Sequence, residues 1–215
     1  MKTKVICFDF DYTLGDSTKA IVASINEALE RLGHQKRSKE AIAKTIGYRL
    51  QEAYVMLEPE AKEENADLFA DYFMEKADEV MVKDTKLYDG VLEMLFRLKE
   101  QGYHLAIVTT KHKFRIEGIL EKFGAQHLID AIIGGDCVKK EKPAPDGLHL
   151  IETRFRVKKE EILYVGDSLV DAKTAQAAEV PFLAVTTGTT TEEKFENYPH
   201  IAIFPSVTEV FQVLS

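Results

Sequence analysis

A doubly wound α/β core built on a parallel sheet is the fold predicted by this 215-residue sequence, and three observations predict it. Short apolar runs recur without polar alternation, as strands covered on both faces require. From residue 87 onward these runs alternate with helical patterns, the rhythm of βαβ units. Residues 16–82 break that rhythm with helical patterns and no convincing strand, so they read as an all-helical domain inserted after the first strand. The expected organisation is an α/β core of residues 1–15 and 83–215 and a small helical cap domain of residues 16–82.

Taken in order, the first strand is 4–8, whose apolar run Val5-Ile6-Cys7-Phe8 ends abruptly at Asp9. The insert carries helical stretches at 17–32, 39–46 and 60–82. Asp16 or Ser17 can cap the first, Gly33 can end it, and Pro59 suits the start of the last. Its joints fall near Gly15, free to act as a hinge, and near residues 84–89. Helices at 91–100 and 114–123 stop at Gly102 and Gly124, where a left-handed residue is needed. Strands follow at 104–109, 131–133, 162–165, 182–185 and 202–204, with further helices at 146–154, 169–178 and 207–214.

Composition narrows the function classes. The net charge of −8 argues against a nucleic-acid-binding surface. It leaves room for a small phosphorylated substrate, because a bound metal reverses the field locally. Two distant cysteines, Cys7 and Cys137, fit reduced thiols in a cytoplasmic protein. No run reaches the length of a membrane span, and Asp9 ends the first apolar run too early for a signal peptide. Oligomeric state is left open, and a monomer is compatible with everything above.

Ligands of open α/β sheets sit beyond the carboxyl ends of the strands, so the polar residues there decide the chemistry. The first strand runs into Asp9 and Asp11. Two acids leaving a buried strand are costly unless a cation compensates them, and Mg²⁺ suits oxygen ligands. At that spacing one carboxylate can act as nucleophile while the other handles protons. The strand at 104–109 ends in Thr109-Thr110-Lys111, and the strand at 162–165 in Gly166-Asp167-Ser168 with Asp171 beyond. Lys140-Glu141-Lys142-Pro143-Ala144-Pro145-Asp146 follows the strand at 131–133. Taken singly, each residue has a plainer reading. Asp-x-Asp is often a solvated turn, Thr109 a β-branched strand residue, Lys142 a surface lysine before a stiff proline turn. Asp171 in a first helical turn could simply favour the dipole.

Those motifs, DFDYT, the strand-end threonine, KPAPD and GDSLVD, in that order over essentially the whole chain, resemble the haloacid dehalogenase superfamily. The helical insert is similar to the smaller cap of its phosphoglycolate phosphatase-like members. The resemblance implies Asp9 as the nucleophile that forms an aspartyl-phosphate and Asp11 as the general acid and base. It implies Thr109 as a phosphoryl-oxygen ligand and Lys142 as the charge-balancing ammonium. Asp167 would bind Mg²⁺ beside Asp9 and the main-chain carbonyl of Asp11, and Asp171 would orient Lys142 or the metal's waters. The cofactor implied is Mg²⁺, the partner a small phosphorylated metabolite, the activity hydrolysis of a phosphoric monoester.

Two positions depart from the family. Tyr12 stands where glycine is usual, placing a phenol at the cap–core seam to narrow the entrance, and Thr110 stands where many relatives have asparagine. Thr110, Lys111, Arg49 and Tyr12 are the expected substrate-binding residues. Arg49, in the family-like loop Gly47-Tyr48-Arg49, could hold a substrate carboxylate or second phosphate, or be an ordinary surface arginine. Inorganic pyrophosphatase, sugar-phosphate mutase and a non-catalytic phospholigand-binding regulator stand as alternatives. Phosphonate cleavage would need a Schiff-base lysine in the insert, for which Lys44 is the nearest candidate.

Overall fold

The chain was analysed as a computed structural model that describes residues 3–60 and 63–214. Six parallel strands form the core sheet: β1 (Val5–Phe8), β4 (His104–Val108), β5 (Ala131–Ile133), β6 (Ile162–Gly166), β7 (Phe182–Val185) and β8 (Ala202–Phe204). Their spatial order is β5-β4-β1-β6-β7-β8. The chain therefore builds outward from β1 to β4 and β5, then returns to β1's other side with β6. That reversal puts the carboxyl end of β1 at the topological switch point, where such sheets bind ligands. Register sharpens the placement: Phe8 lies level with Ile107 on β4 and Val165 on β6. Asp9 then leaves the sheet beside Val108 and Gly166, its N–H still donating to the Val165 carbonyl at 2.8 Å.

Apolar layers on both faces explain the unbroken apolar strands. Helices α5 (Val91–Glu100) and α6 (Lys113–Lys122) cover one face together with Ile6, Phe8, Leu105 and Ile107. Helices α7 (Asp146–Phe155) and α8 (Leu169–Ala178) cover the other, against Val5, Cys7, Ala106, Tyr164 and Phe182. Gly102 and Gly124 end α5 and α6 with φ of 86° and 66°, conformations open to glycine at little cost.

The segment between β1 and α5 is helical, as expected: α1 (Thr18–Arg31), α2 (Lys39–Ala43), α3 (Leu50–Leu57) and α4 (Ala66–Asp84). Ile21, Ile25, Ala28 and Leu29 on α1 recur at helical spacing and pack with Phe69, Phe73 and Ala77 of α4. Each such large side chain contributes about 1.5–3 kcal/mol on burial. The two chain crossings at the base of the insert pair with each other. A short antiparallel ribbon joins β2 (Gly15–Asp16) to β3 (Lys86–Leu87). Glycine is required at position 15 by close approach, since a Cβ there would meet the Lys86 carbonyl at 2.6 Å.

Several local expectations are corrected. The last helix is a 3₁₀ run, Val207–Val213, and α2 stops at Ala43 because the chain turns towards Gly47, whose φ is 93°. Pro59 does not open α4, which starts at Ala66 after a 3₁₀ turn at Glu63–Asn65; positions 61 and 62 of the expected stretch lie outside the described residues. Asp16 rather than Ser17 caps α1, its Oδ1 accepting from the Thr18 N–H at 2.8 Å. Helix α3 was not expected, although Leu50, Ala53, Tyr54 and Leu57 have helical spacing. The short helix α9 (Glu192–Phe195) was not expected either. Among the described residues, no helix is long and apolar enough to cross a membrane.

Helix α4 is fastened to the core through α6. Arg115 donates to Asp78 Oδ1 and the Met74 carbonyl, and Lys122 Nζ donates to the carbonyls of Val82, Lys83 and Thr85 at 3.1, 2.7 and 2.8 Å. Between them Gly118 lets Val82 approach, since a Cβ at that glycine would lie 2.9 Å from a Val82 methyl. Lys122 thus satisfies carbonyls that the end of a helix leaves without partners. Replacing Lys122 by alanine should lower unfolding free energy by about 0.5–1.5 kcal/mol in urea titrations. A midpoint equal to that of the unsubstituted protein would show that water replaces the ammonium without cost.

Candidate active site

A buried lysine organises the carboxyl end of β1. Lys142 Nζ donates to Asp9 Oδ1 at 2.9 Å, Asp171 Oδ1 at 2.6 Å and the Tyr164 hydroxyl at 3.1 Å, which uses all three ammonium protons. Lys142 is 5 % exposed, Asp9 2 % and Asp171 0 %. Tyr164 points its hydroxyl hydrogen at the Val108 carbonyl (3.0 Å) and Asp171 Oδ1 (2.8 Å). Asp171 is fixed from its other oxygen, Oδ2, by the Ser168 N–H at 3.0 Å and hydroxyl at 2.5 Å, while Ser168 Oγ accepts from the Asp171 N–H. This reciprocal cap starts α8, so helix nucleation and lysine placement use the same two side chains.

Burial and charge crowding perturb the group. Desolvation is the largest influence on Asp9 and raises its pKa; Lys142 pulls it down, Asp171 pushes it up, and the balance is about 6. Asp167 is held well above the usual carboxylate range, by burial first and then by Asp171 and Asp9. For Lys142, burial works against the charged form, but Asp171 and Asp9 outweigh it and the ammonium titrates above its ordinary range. Burial also keeps the Tyr164 phenol protonated, hence a donor.

Oxygens of Asp9, Asp167 and Asp171 lie within 4.8 Å of one another. Three carboxylates against one ammonium leave a formal excess of two negative charges, which a divalent cation cancels. The donor set is all oxygen, as a hard cation such as Mg²⁺ prefers. Asp171 has both oxygens engaged by protein donors, so Asp9 and Asp167 are the carboxylates placed to hold the ion. Asp167 Oδ1 accepts from the Thr13 hydroxyl at 3.2 Å. The Asp11 carboxylate is not in this cluster; it turns the other way, Oδ2 meeting Lys111 Nζ at 3.1 Å. Its Oδ1 is the one buried side-chain oxygen without a hydrogen-bond partner among the described residues.

Asp11 is among the residues that line a cavity of about 240 Å³ between insert and core. Of the expected substrate-binding residues, Thr110, Lys111 and Arg49 line it. Arg49 Nε sits 4.0 Å from Glu141 Oε2, so an ion pair bridges the rim. Tyr12 does not line the cavity, contrary to expectation. Its φ of 60° turns it towards α1, where its hydroxyl accepts from Thr18 Oγ1 at 2.9 Å. That φ also accounts for the family's glycine, since a left-handed non-glycine residue costs about 1–2 kcal/mol. Thr109 is buried, and its Oγ1 accepts from the Lys111 N–H at 3.3 Å. Lys44 is exposed and away from the cavity lining.

Two contributors went unnoticed in the sequence. Tyr164 reads only as a strand residue, although a buried tyrosine must find a partner for its hydroxyl. Gly188, in the loop after β7, lies against Asp167: a Cβ there would fall 1.9 Å from Oδ2, so any side chain would displace the carboxylate. The neighbouring Thr187 hydroxyl donates to the Tyr12 carbonyl, tying that loop to the one after β1.

Crowded like charges are a stability cost that a bound cation offsets. In metal-free protein, Asp167→Asn should therefore raise Tm by a few degrees, while the rise on adding Mg²⁺ seen with the unsubstituted chain should vanish. A lower Tm in the metal-free variant, or an undiminished Mg²⁺ response, would contradict this assignment.

Comparison with known proteins agrees with the geometry. The sequence model of the haloacid dehalogenase-like hydrolases matches residues 6–185. A phosphoglycolate phosphatase of Cereibacter sphaeroides is 32 % identical over 214 residues, covering 97 % of this chain and 96 % of that protein. One from Haemophilus influenzae is also 32 % identical, over 86 % of both chains. A solved haloacid dehalogenase-like hydrolase from Bacteroides fragilis superposes with a TM-score of 0.93 at 39 % identity, over 97 % of this chain and all of that one. A predicted phosphoglycolate phosphatase from Haemophilus somnus gives 0.85 at 28 % identity, over 99 % of this chain and 98 % of that one. The chain belongs to the haloacid dehalogenase-like hydrolases.

Proposed function

We propose that this chain is a Mg²⁺-dependent cytoplasmic phosphatase that hydrolyses a small phosphomonoester through an aspartyl-phosphate on Asp9. The family and its named relatives indicate a phosphoric monoester hydrolase. The observation that carries the rest is the Lys142 bridge. It fixes one oxygen of Asp9 at the switch point of the sheet and leaves the other for the phosphorus.

Asp9 attacks in line, its oxygen bonding to phosphorus as the ester P–O bond breaks. Asp11, on the cavity side, gives its proton to the departing alkoxide, then takes one from the water that hydrolyses the aspartyl-phosphate. Its place in the cavity lining, with one oxygen free of hydrogen bonds among the described residues, supports that role. Lys142 balances charge on Asp9 and the phosphoryl group, and Asp171 with Tyr164 keeps the ammonium in place. Thr109 accepts from a backbone N–H, so its hydroxyl hydrogen remains for a phosphoryl oxygen. Mg²⁺ held by Asp9, Asp167 and the Asp11 main chain would supply electrostatic stabilisation of the transferring oxygens.

Residues 16–82 form the cap in this reading. Thr110, Lys111 and Arg49 border the leaving group, and Tyr12 steadies the loop after β1. The apolar wall formed by Ile21, Ile25 and Phe73, opposite the polar Thr110, Lys111 and Arg49, favours an organic ester over inorganic pyrophosphate.

Hydrolysis of p-nitrophenyl phosphate is the direct test. Turnover should require Mg²⁺, cease on chelation with EDTA and return on adding the ion. Asp9→Asn and Lys142→Met should each lower kcat by about 10³-fold or more with the fold retained by circular dichroism. Undiminished turnover after exhaustive chelation, or in Asp9→Asn, would refute the proposal.

A further inference from the structure

The loop after β1 turns back on itself around one carbonyl. Phe10 C=O accepts from the N–H groups of Thr13, Leu14 and Gly15 at 3.2, 2.9 and 3.0 Å, and the Tyr12 N–H donates to the Gly15 carbonyl at 2.8 Å. The Tyr12 N–H shares a peptide plane with the Asp11 carbonyl, and in a trans peptide the two point opposite ways. The bond to Gly15 therefore turns the Asp11 carbonyl out of the loop. Among the described residues no backbone N–H donates to it.

That conformation runs against the residue at position 12. Tyr12 has a φ of 60°, a left-handed value that a side chain disfavours about 5- to 30-fold in population. A glycine, usual in the family at this position, reaches the same φ without penalty. Here three separate parts of the tyrosine are tethered. Its N–H is held by Gly15, its phenol accepts from the buried Thr18 Oγ1 at 2.9 Å, and its carbonyl accepts from the Thr187 hydroxyl. Thr187 belongs to the loop after β7, whose Gly188 packs against Asp167 Oδ2. Thr13, next to Tyr12, donates to the other oxygen of that carboxylate, Oδ1, at 3.2 Å. The two loops thus grip Asp167 from both sides, and the Thr187–Tyr12 bond joins them.

We infer that Thr187 and Tyr12 are positioning residues for the cation: the Thr187 hydroxyl holds Tyr12 left-handed, which keeps the Asp11 carbonyl free for the ion that Asp9 and Asp167 would hold. This rests on the metal assignment of the phosphatase reading. Mg²⁺ titrations by calorimetry test it without turnover. Thr187→Val, which keeps the shape and removes the hydroxyl, should weaken Mg²⁺ binding about tenfold, and Thr187→Ser should stay within about twofold of the unsubstituted chain. In a Tyr12→Gly background, where the left-handed φ carries no side-chain penalty, Thr187→Val should change the affinity by less than about threefold. Thr187→Ala takes the place of the valine variant if circular dichroism shows that variant unfolded. An unchanged Mg²⁺ affinity in Thr187→Val, even with a lowered Tm, would make Thr187 a structural tie and overturn the inference. An equal loss in both backgrounds, or an equal loss in Thr187→Ser, would overturn it too. If the unsubstituted chain binds no Mg²⁺, the metal assignment falls and takes this inference with it.

Discussion

The site depends on one buried ammonium wedged between two carboxylates. Without Lys142, Asp9 and Asp171 would confront each other and Asp167 in a region that excludes water. Breaking a buried ion pair by removing one partner typically costs 3–5 kcal/mol, because the remaining charge is left uncompensated. The arrangement therefore gives the lysine little freedom. Tyr164 holds it from the strand, and Ser168 holds Asp171 from the start of α8. Because the lysine cancels only one of three formal negative charges, burial and mutual repulsion hold the carboxyls of Asp9 and Asp167 above their usual range. This is the expected trade between stability and function.

The second constraint is how the helical insert meets the core. Helix α4 is joined to α6 by Arg115 and Lys122, while the ribbon of β2 and β3 closes the base of the insert. The cavity is bounded by these attachments, with Arg49 and Glu141 at its rim. The rim pair is half-exposed, so its ions are well solvated and weakly coupled.

Legibility followed periodicity and charge. All six core strands were readable as apolar runs, because strands covered on both faces carry no polar alternation to obscure them. Asp9 and Asp167 were conspicuous as charged residues at strand exits, whereas Lys142, nine residues beyond β5, stood out only through the KPAPD motif of the family that the sequence resembles. Tyr164 was not, since a phenol on a buried strand resembles any aromatic core residue until its partners are seen. Gly188 was equally silent, because its importance lies in what it touches 21 positions away in sequence, at Asp167. Tyr12 does stand at the seam, bonded to Thr18 at the start of α1, but a positive φ that its residue type does not announce turns it from the cavity lining. The extent of the cavity was also hidden, since it arises from facing strips of α1 and α4 rather than from any local motif.

The most direct measurement of the central claim is where the phosphoryl group resides during turnover. The enzyme would be mixed with a phosphomonoester and Mg²⁺, quenched in acid within the steady state, digested and mapped by mass spectrometry. A phosphoryl adduct on Asp9 is the predicted result. An adduct on Asp11 or on any other residue, or sustained turnover with no covalent adduct at any quench time, would contradict the account.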